Sequence, residues 1–201
     1  MCRELQEILG ESPSSTLLTS FLESLCLPPL PSPEVKIFPD AVYFNYFQLG
    51  LSLLFTPTSG YKPSSSSPLA YENLRLDSID VYNAPTVDPK TTTGKKHANI
   101  QYTPYPQLPI LIPSLSDVSP IPPPLAVTAT TTGKDMVSFL GEPSRKGGGS
   151  GPSSGSIGIW CEWKARGLMV EFGGDEARGA QAWERGKDAH WTVITFFKPP
   201  T

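Results

Sequence analysis

Residues 42–55, VYFNYFQLGLSLLF, and residues 157–172, IGIWCEWKARGLMVEF, decide the fold that this chain can adopt. Each is an aromatic stretch, then a short turn ending in Gly50 or Gly167, then a segment of form Gly-Leu-x-x-x-Phe. In the last segment apolar residues alternate, which places them on one face of a strand. The turn glycines supply the positive φ that a hairpin of this length needs. Each stretch therefore predicts a β-hairpin.

Similar elements flank both hairpins. Residues 5–14 and 136–144 each predict a short apolar helix that ends in Leu-Gly-Glu, with a proline soon after. Glycine suits the left-handed residue that closes a helix, and proline prevents its continuation. Thr132 and Asp135 have the spacing of a capping box for the second helix. A third strand is predicted after each hairpin, over residues 74–82 and 191–197.

The order helix, hairpin, strand thus occurs twice, which predicts an α+β fold of two degenerate repeats forming antiparallel sheets. We expect a first unit over residues 1–83, a proline-rich insert over residues 84–126 and a second unit over residues 127–201. Segments rich in Pro, Ser or Gly are predicted loops: residues 27–39, 60–70 and 145–156. The predicted core comprises Leu5, Ile8, Leu9, Phe44, Tyr46, Leu51, Leu53, Phe55, Ile79, Val81, Val137, Leu140, Ile159, Cys161, Leu168, Val170, Phe172, Val193 and Phe196.

Composition argues against several classes of function. The net charge is −3 and the 16 Lys and Arg are scattered, so the basic stripe of a nucleic-acid binder is missing. Three cysteines without close spacing predict a reducing compartment, and the sequence has no signal-peptide pattern, so a cytoplasmic protein is expected. No zinc-binding motif is present in the sequence, and no cofactor is predicted.

The sequence offers little for catalysis. Cys161 in a predicted strand is expected to act as a small apolar residue, although His190 on the following strand leaves a Cys/His hydrolase as a distant alternative. Two Thr-Thr-Thr-Gly-Lys runs, at residues 91–95 and 130–134, lack the upstream glycine of a phosphate loop. We therefore expect a protein that is not an enzyme.

Two sets of residues are candidates for binding. The charged block at residues 173–188 is expected to be an exposed connection, in which Trp183, flanked by Arg178 and Arg185, either folds back on the sheet or contacts a partner. The alternative is a membrane-surface module that touches anionic lipid such as phosphoinositide. Its candidate contacts are Lys95, Lys96, Arg145 and Lys146.

The aromatic hairpin over residues 42–55 resembles the hallmark segment of the phagosome assembly factor family, and Tyr82-Asn83 falls where that family has a Tyr-Asn segment. The helix over residues 135–143 is similar to its Leu-Gly-x-Pro helix, and the last strands resemble those that close its chain. The match covers the C-terminal half of the family's length. The resemblance implies a non-catalytic adaptor in autophagosome formation or membrane traffic, with a β-propeller protein as partner and peripheral contact with phosphoinositide membranes.

Overall fold

The computed structural model describes residues 2–83, 102–114, 122–149 and 158–200. It is a mixed structure of helices and strands with antiparallel sheets, as predicted. The helices are α1 (Cys2–Glu7), α2 (Thr16–Glu23), α3 (Gly133–Leu140) and α4 (Ala182–Arg185). The strands are β1 (Glu34–Phe38), β2 (Ala41–Tyr46), β3 (Leu51–Pro57), β4 (Leu74–Tyr82), β5 (Ile110–Ile112), β6 (Leu125–Val127), β7 (Arg145–Gly147), β8 (Trp160–Trp163), β9 (Leu168–Phe172) and β10 (Trp191–Phe197). Within the described residues, no helix combines the length and the apolar character needed to cross a membrane.

The chain forms two compact units. The amino-terminal unit comprises residues 10–77 and 81–106, and the carboxyl-terminal unit comprises residues 1–9, 78–80 and 107–201. These limits differ from the predicted boundaries after residues 83 and 126. Helix α1 groups with the carboxyl-terminal unit because Leu5 and Ile8 are fully buried there and the Gln6 side-chain amide donates a hydrogen bond to the Arg166 carbonyl oxygen at 2.8 Å.

The amino-terminal unit is built on the predicted aromatic hairpin. Its strands follow the order β1-β2-β3-β4, where β4 contributes all but residues 78–80, which belong to the carboxyl-terminal unit. Strands β2 and β3 are antiparallel, with Tyr46 opposite Leu51. A 3₁₀ turn and Gly50 join them, and Gly50 has φ 60° and ψ 36° in the left-handed region, as predicted. The Gly50 carbonyl oxygen accepts a hydrogen bond from the Tyr82 N–H at 2.9 Å, which ties the turn to the end of β4. The predicted third strand is confirmed.

A buried polar contact explains the asparagine of the aromatic hairpin. Asn45 and Ser52 face each other across the β2–β3 pair, and both are buried. The Asn45 Oδ1 accepts hydrogen bonds from the Ser52 and Tyr102 hydroxyls, each at 2.8 Å, so the amide oxygen is satisfied. The Tyr102 ring stacks on Tyr82 with 3.6 Å between centroids. Polar groups here set the register of the hairpin and anchor a segment distant in sequence.

The carboxyl-terminal unit contains the second predicted hairpin. Its sheet order is β10-β9-β8-β7, and β5 pairs with β6 in a separate two-stranded sheet. Trp163 lies opposite Leu168, and the turn ends at Gly167 with φ 60° and ψ 43°. The Gly167 carbonyl oxygen accepts a hydrogen bond from the Phe197 N–H at 2.9 Å, at the end of β10. The second predicted hairpin and its third strand are therefore confirmed.

Helix α3 begins with the predicted capping box. The Thr132 Oγ1 accepts a hydrogen bond from the Asp135 N–H at 3.3 Å, and the Asp135 Oδ2 accepts one from the Thr132 N–H at 2.9 Å. The Thr132 N–H and the Thr132 hydroxyl, which both donate hydrogen bonds to the Asp135 carboxylate, lower the pKa of this carboxyl. The helix ends at Leu140, and the Gly141 that follows has φ 79° and ψ −169°, outside the left-handed helical region predicted for it. The Gly141 carbonyl oxygen accepts a hydrogen bond from the Trp163 indole N–H at 2.9 Å.

Replacing Thr132 with alanine is expected to lower the free energy of unfolding by about 1 kcal/mol, because loss of the Thr132 hydroxyl leaves the Asp135 N–H without its acceptor. Tryptophan fluorescence during urea denaturation measures this loss, since all four tryptophans lie in the carboxyl-terminal unit. Thr130→Ala, at an exposed position just before the cap, is the control. An equal loss in both variants would contradict a specific role of the capping box.

Several predicted loops contain regular structure. Strand β1 lies within residues 27–39, β5 and most of β6 lie within the insert at 84–126, and β7 begins the Gly/Ser segment at 145–156. Helix α2 was not predicted. Strand β1 has five residues and the other three have three residues each, too few for a long alternating pattern, so their hydrogen-bonded partners make them strands.

The prediction of a buried core is wrong for two residues, Val137 and Val193. Val137 is 37% exposed, because α3 buries Gly133, Met136 and Leu140 instead. Val193 is only half-buried, because the β9–β10 pairing shifts between Trp191 and Val193. A bulge of this kind adds a residue to one strand and moves the inward face, here to Ile194 and Phe196. The other predicted core residues are buried.

Candidate functional site

A cavity of about 270 Å³ lies beside α3 in the carboxyl-terminal unit; we call it the Trp183 cavity. Its floor is buried and consists of Ile159, Cys161 and Phe172. Its mouth is exposed and consists of Lys134, Val137, Ser138, Trp183 and Lys187. Gly133 and Gly186 complete the lining. The cavity thus joins an apolar interior to a mouth that carries an indole, a hydroxyl and two ammonium groups.

Two glycines allow the wall of the cavity to form. A Cβ added to Gly133 would lie 2.6 Å from the Gly186 carbonyl oxygen, and one added to Gly186 would overlap the Ile159 Cδ1. The N–H of Gly133 also donates a hydrogen bond to the Ala189 carbonyl oxygen at 3.0 Å. The start of α3 and the 3₁₀ turn Gly186–Asp188 can therefore approach closely only because these positions have no side chain.

Trp183 is placed at the mouth by α4. Ala182, its neighbour in the helix, is fully buried, and a Cβ added to Gly149 would lie 2.9 Å from the Ala182 Cβ. Ala182 is therefore packed closely against the backbone at Gly149, which fixes the helix, while Trp183 stays 41% exposed. The Lys146 Nζ lies 5.8 Å from the centroid of the Trp183 ring, in cation–π range. One part of the indole thus contacts the cavity and another faces solvent.

The charged block at residues 173–188 is more compact than the exposed connection predicted from sequence. Ala177 is fully buried, and α4 forms within the block. The Arg185 guanidinium donates hydrogen bonds to the carbonyl oxygens of Asp175 and Arg178, each at 3.2 Å. Arg185 therefore holds its own loop together, whereas the Arg178 side chain is exposed.

Cys161 has the properties of an apolar floor residue. Burial raises the pKa of its thiol to about 11; the Lys146 charge lowers it and the Glu142 charge raises it. The thiol is therefore protonated at neutral pH, and a protonated thiol is a poor nucleophile. No histidine is among the described residues that line the cavity, and His190 is exposed beside the start of β10. The described residues also contain no cluster of three or more His, Cys, Asp or Glu able to hold a metal ion.

The candidate lipid contacts are partly engaged. Arg145 lies 3.4 Å from the Glu162 carboxylate and 5.8 Å from the centroid of the Trp160 ring. Lys146 lies 3.0 Å from the Glu142 carboxylate. Both are on β7, and both carry an exposed charge with an acidic partner. Lys95 and Lys96 lie outside the described residues.

Sequence reasoning identified some of these groups and missed others. It selected Trp183 as an aromatic residue in a polar segment, and it placed Cys161 and Phe172 in the core. It missed Lys134 and Lys187, because single lysines on a surface carry no signal in one sequence. It also assigned Val137 to the core. The residues of the cavity come from four separate segments, so only the folded chain brings them together.

Comparison of the chain with protein-family models, with curated proteins and with solved structures found no match.

Proposed function

We propose that this chain is a non-catalytic adaptor that binds a protein partner at the Trp183 cavity. The observation that carries this proposal is an apolar cavity with a half-exposed tryptophan at its mouth. Tryptophan is enriched among the few residues that dominate binding energy at interfaces, usually beside a pocket that receives a partner side chain. Because the cavity volume, about 270 Å³, is below the roughly 300–1,000 Å³ of most small-molecule sites, an anchoring side chain fits better than a cofactor.

The chemistry of the floor supports a binding role over catalysis. A hydrolase would need the Cys161 thiol near a base, but the thiol is buried with a raised pKa and no described histidine lines the cavity. The membrane alternative has less support. Arg145 and Lys146 each have an acidic neighbour, which reduces their attraction to anionic lipid.

The cellular setting rests on the resemblance to the phagosome assembly factor family. We propose that the adaptor acts in the cytoplasm in autophagosome formation or membrane traffic, and that its partner is a β-propeller protein. Peripheral association with phosphoinositide membranes would then come through that partner. The aromatic hairpin over residues 42–55 is the segment on which the resemblance mainly depends.

We also propose that the two hairpins belong to degenerate copies of one helix–hairpin–strand unit. The support is local geometry. Gly50 and Gly167 have nearly the same φ and ψ, and each follows a three-residue 3₁₀ turn. Each carbonyl oxygen also accepts a hydrogen bond from the last residue of the third strand, which is Tyr82 on β4 or Phe197 on β10. Two unrelated turns would not be expected to share all of these contacts.

Affinity purification followed by mass spectrometry, in cells of the source organism, tests the adaptor proposal. We expect the full chain to recover a β-propeller protein and Trp183→Ala to lose it. The variant should remain folded, because the side chain is exposed and its contact with Lys146 contributes about 0.5–1 kcal/mol.

Phe38→Ala is the matched control, since Phe38 is an aromatic residue on β1 with 49% exposure. It should recover the same partner as the unchanged chain. Equal recovery of the propeller by Trp183→Ala would show that the cavity is not the docking site, and no recovery by any bait would contradict the proposed partner.

A further inference from the structure

The charges around the Trp183 cavity point to the chemistry of its partner. Two lysines, Lys134 and Lys187, are among the ten lining residues, and none of the ten is acidic. A third cation, Lys146, lies over the Trp183 ring, but its charge is paired with the Glu142 carboxylate at 3.0 Å, so the two lining lysines carry the argument. Electrostatic complementarity across interfaces favours partners of opposite charge. A partner that fills this cavity therefore meets positive charge at the rim.

Nearby carboxylates leave much of this charge available. The Asp135 Oδ2 accepts hydrogen bonds from the N–H and the hydroxyl of Thr132, so this carboxylate is committed to the helix cap. Lys187 has an ion pair with Asp188 at 3.5 Å, but both side chains are more than 60% exposed and such pairs are weak. Among the described residues, no carboxylate forms an ion pair with Lys134.

The cavity volume limits the apolar part of the partner. About 270 Å³ accommodates one large aliphatic or aromatic side chain, and the floor of Ile159, Cys161 and Phe172 offers it no charged group. Ser138 is the only uncharged polar side chain of the lining apart from the thiol and the indole. The site is therefore suited to a partner whose apolar side chain enters the cavity while the charged residues next to it in the partner stay at the mouth, beside the two lysines.

From this geometry we propose that the Trp183 cavity binds a protein segment that inserts one large apolar side chain and presents an adjacent Asp or Glu to Lys134 and Lys187. This inference rests on the proposed adaptor function and specifies the partner's sequence. A site of this kind should prefer such a segment to a purely apolar one, which gains nothing from the lysines, and to a basic one, which the lysines repel.

Selection of a random-peptide phage library on the full chain, with counter-selection on Trp183→Ala, tests the partner chemistry. We expect enriched peptides with Asp or Glu next to Leu, Ile, Met, Phe or Trp, and no enrichment on the variant. Apolar peptides without an acidic bias, still dependent on Trp183, would overturn the inference but leave the docking site. Failure to enrich any peptide that depends on Trp183 would overturn both the inference and the adaptor function proposed for this cavity.

Fluorescence anisotropy with the best enriched peptide then measures how much the charge of Lys134 contributes to the binding affinity. Lys134→Glu should weaken binding by about fivefold or more at low salt, with the difference shrinking at high salt. Replacing the peptide's acidic residue with lysine should weaken its binding to the unchanged chain. The same lysine peptide should bind Lys134→Glu more tightly than it binds the unchanged chain. Lys62→Glu, with the same charge change at an exposed position of the amino-terminal unit, is the control and should bind like the unchanged chain.

Vesicles containing phosphoinositide, measured in parallel by flotation, cover the membrane alternative. We expect no flotation that depends on Trp183 or Lys134. If flotation depends on both residues while no peptide is enriched, the cavity binds a membrane surface and the proposed protein segment is wrong. Equal affinity of the enriched peptide for Lys134→Glu, Lys62→Glu and the unchanged chain would likewise overturn the role of charge.

Discussion

Replacing Gly167 with alanine is expected to lower the free energy of unfolding of the carboxyl-terminal unit by about 3 kcal/mol or more. Two effects combine. Gly167 has a left-handed backbone with φ 60°, which costs a residue with a Cβ about 1–2 kcal/mol. The new Cβ would also overlap the Phe197 carbonyl oxygen and lie 3.1 Å from the Pro199 Cδ. Relief of this clash would stretch the hydrogen bond between Gly167 and Phe197.

Gly179→Ala separates the two effects. Gly179 also has a positive φ, 81°, but nothing lies within 4 Å of a Cβ added there. Only backbone strain remains, so we expect a loss of about 1 kcal/mol. Urea denaturation followed by tryptophan fluorescence measures both variants. If the two losses are equal, the close approach of the turn to β10 does not contribute, and the description of this hairpin is incorrect.

Asp80→Asn is expected to raise the free energy of unfolding by about 2–3 kcal/mol at about pH 7.5. Burial raises the pKa of Asp80 to about 6; the hydrogen bond from the Thr195 hydroxyl, at 2.8 Å, lowers it and the Glu171 charge raises it. Charging this carboxyl in the folded protein is therefore unfavourable at neutral pH. Asparagine keeps an oxygen for the Thr195 hydroxyl but removes the charge.

The sign of the pH dependence follows from the same shift. The folded state keeps the Asp80 proton up to about pH 6, while the unfolded chain loses it near the ordinary value of 3.8. The folded state thus binds more protons in this window, and its stability falls as the pH rises from about 4 to about 6. Burial also raises the pKa of Glu171, which adds to the same slope. Below this window the stability contribution of the protonated Asp80 is fully present.

Urea denaturation at several pH values tests this prediction. Asp80→Asn should be more stable than the unchanged chain above about pH 6 and should approach it near about pH 4, with a flatter pH profile. Asp77→Asn, the same chemical change at an exposed position of the same strand, is the control and should not give the stabilisation expected of Asp80→Asn above about pH 6. A profile for Asp80→Asn as steep as that of the unchanged chain would rule out Asp80 as the source of the slope.

Local chemistry explains which predictions from sequence are confirmed. The two hairpins, their turn glycines and the capping box of α3 depend on residues within a few positions of each other. The Trp183 cavity depends instead on residues from separate parts of the chain. Its glycines, Gly133 and Gly186, and its floor residues, Ile159 and Phe172, are far apart in sequence. A sequence reveals a glycine, but it does not reveal the carbonyl or side chain that will lie where a Cβ would be.

The amino-acid sequence by itself determined the two hairpins, their third strands and the capping box at the start of α3, because alternation of apolar residues, left-handed turn glycines and helix capping act over short distances along the chain. Only the tertiary structure decided the short strands β1, β5, β6 and β7, the grouping of α1, the bulge in β10 and the Trp183 cavity. Each of these depends on a hydrogen bond, a register or a close contact with a partner whose position no local pattern specifies.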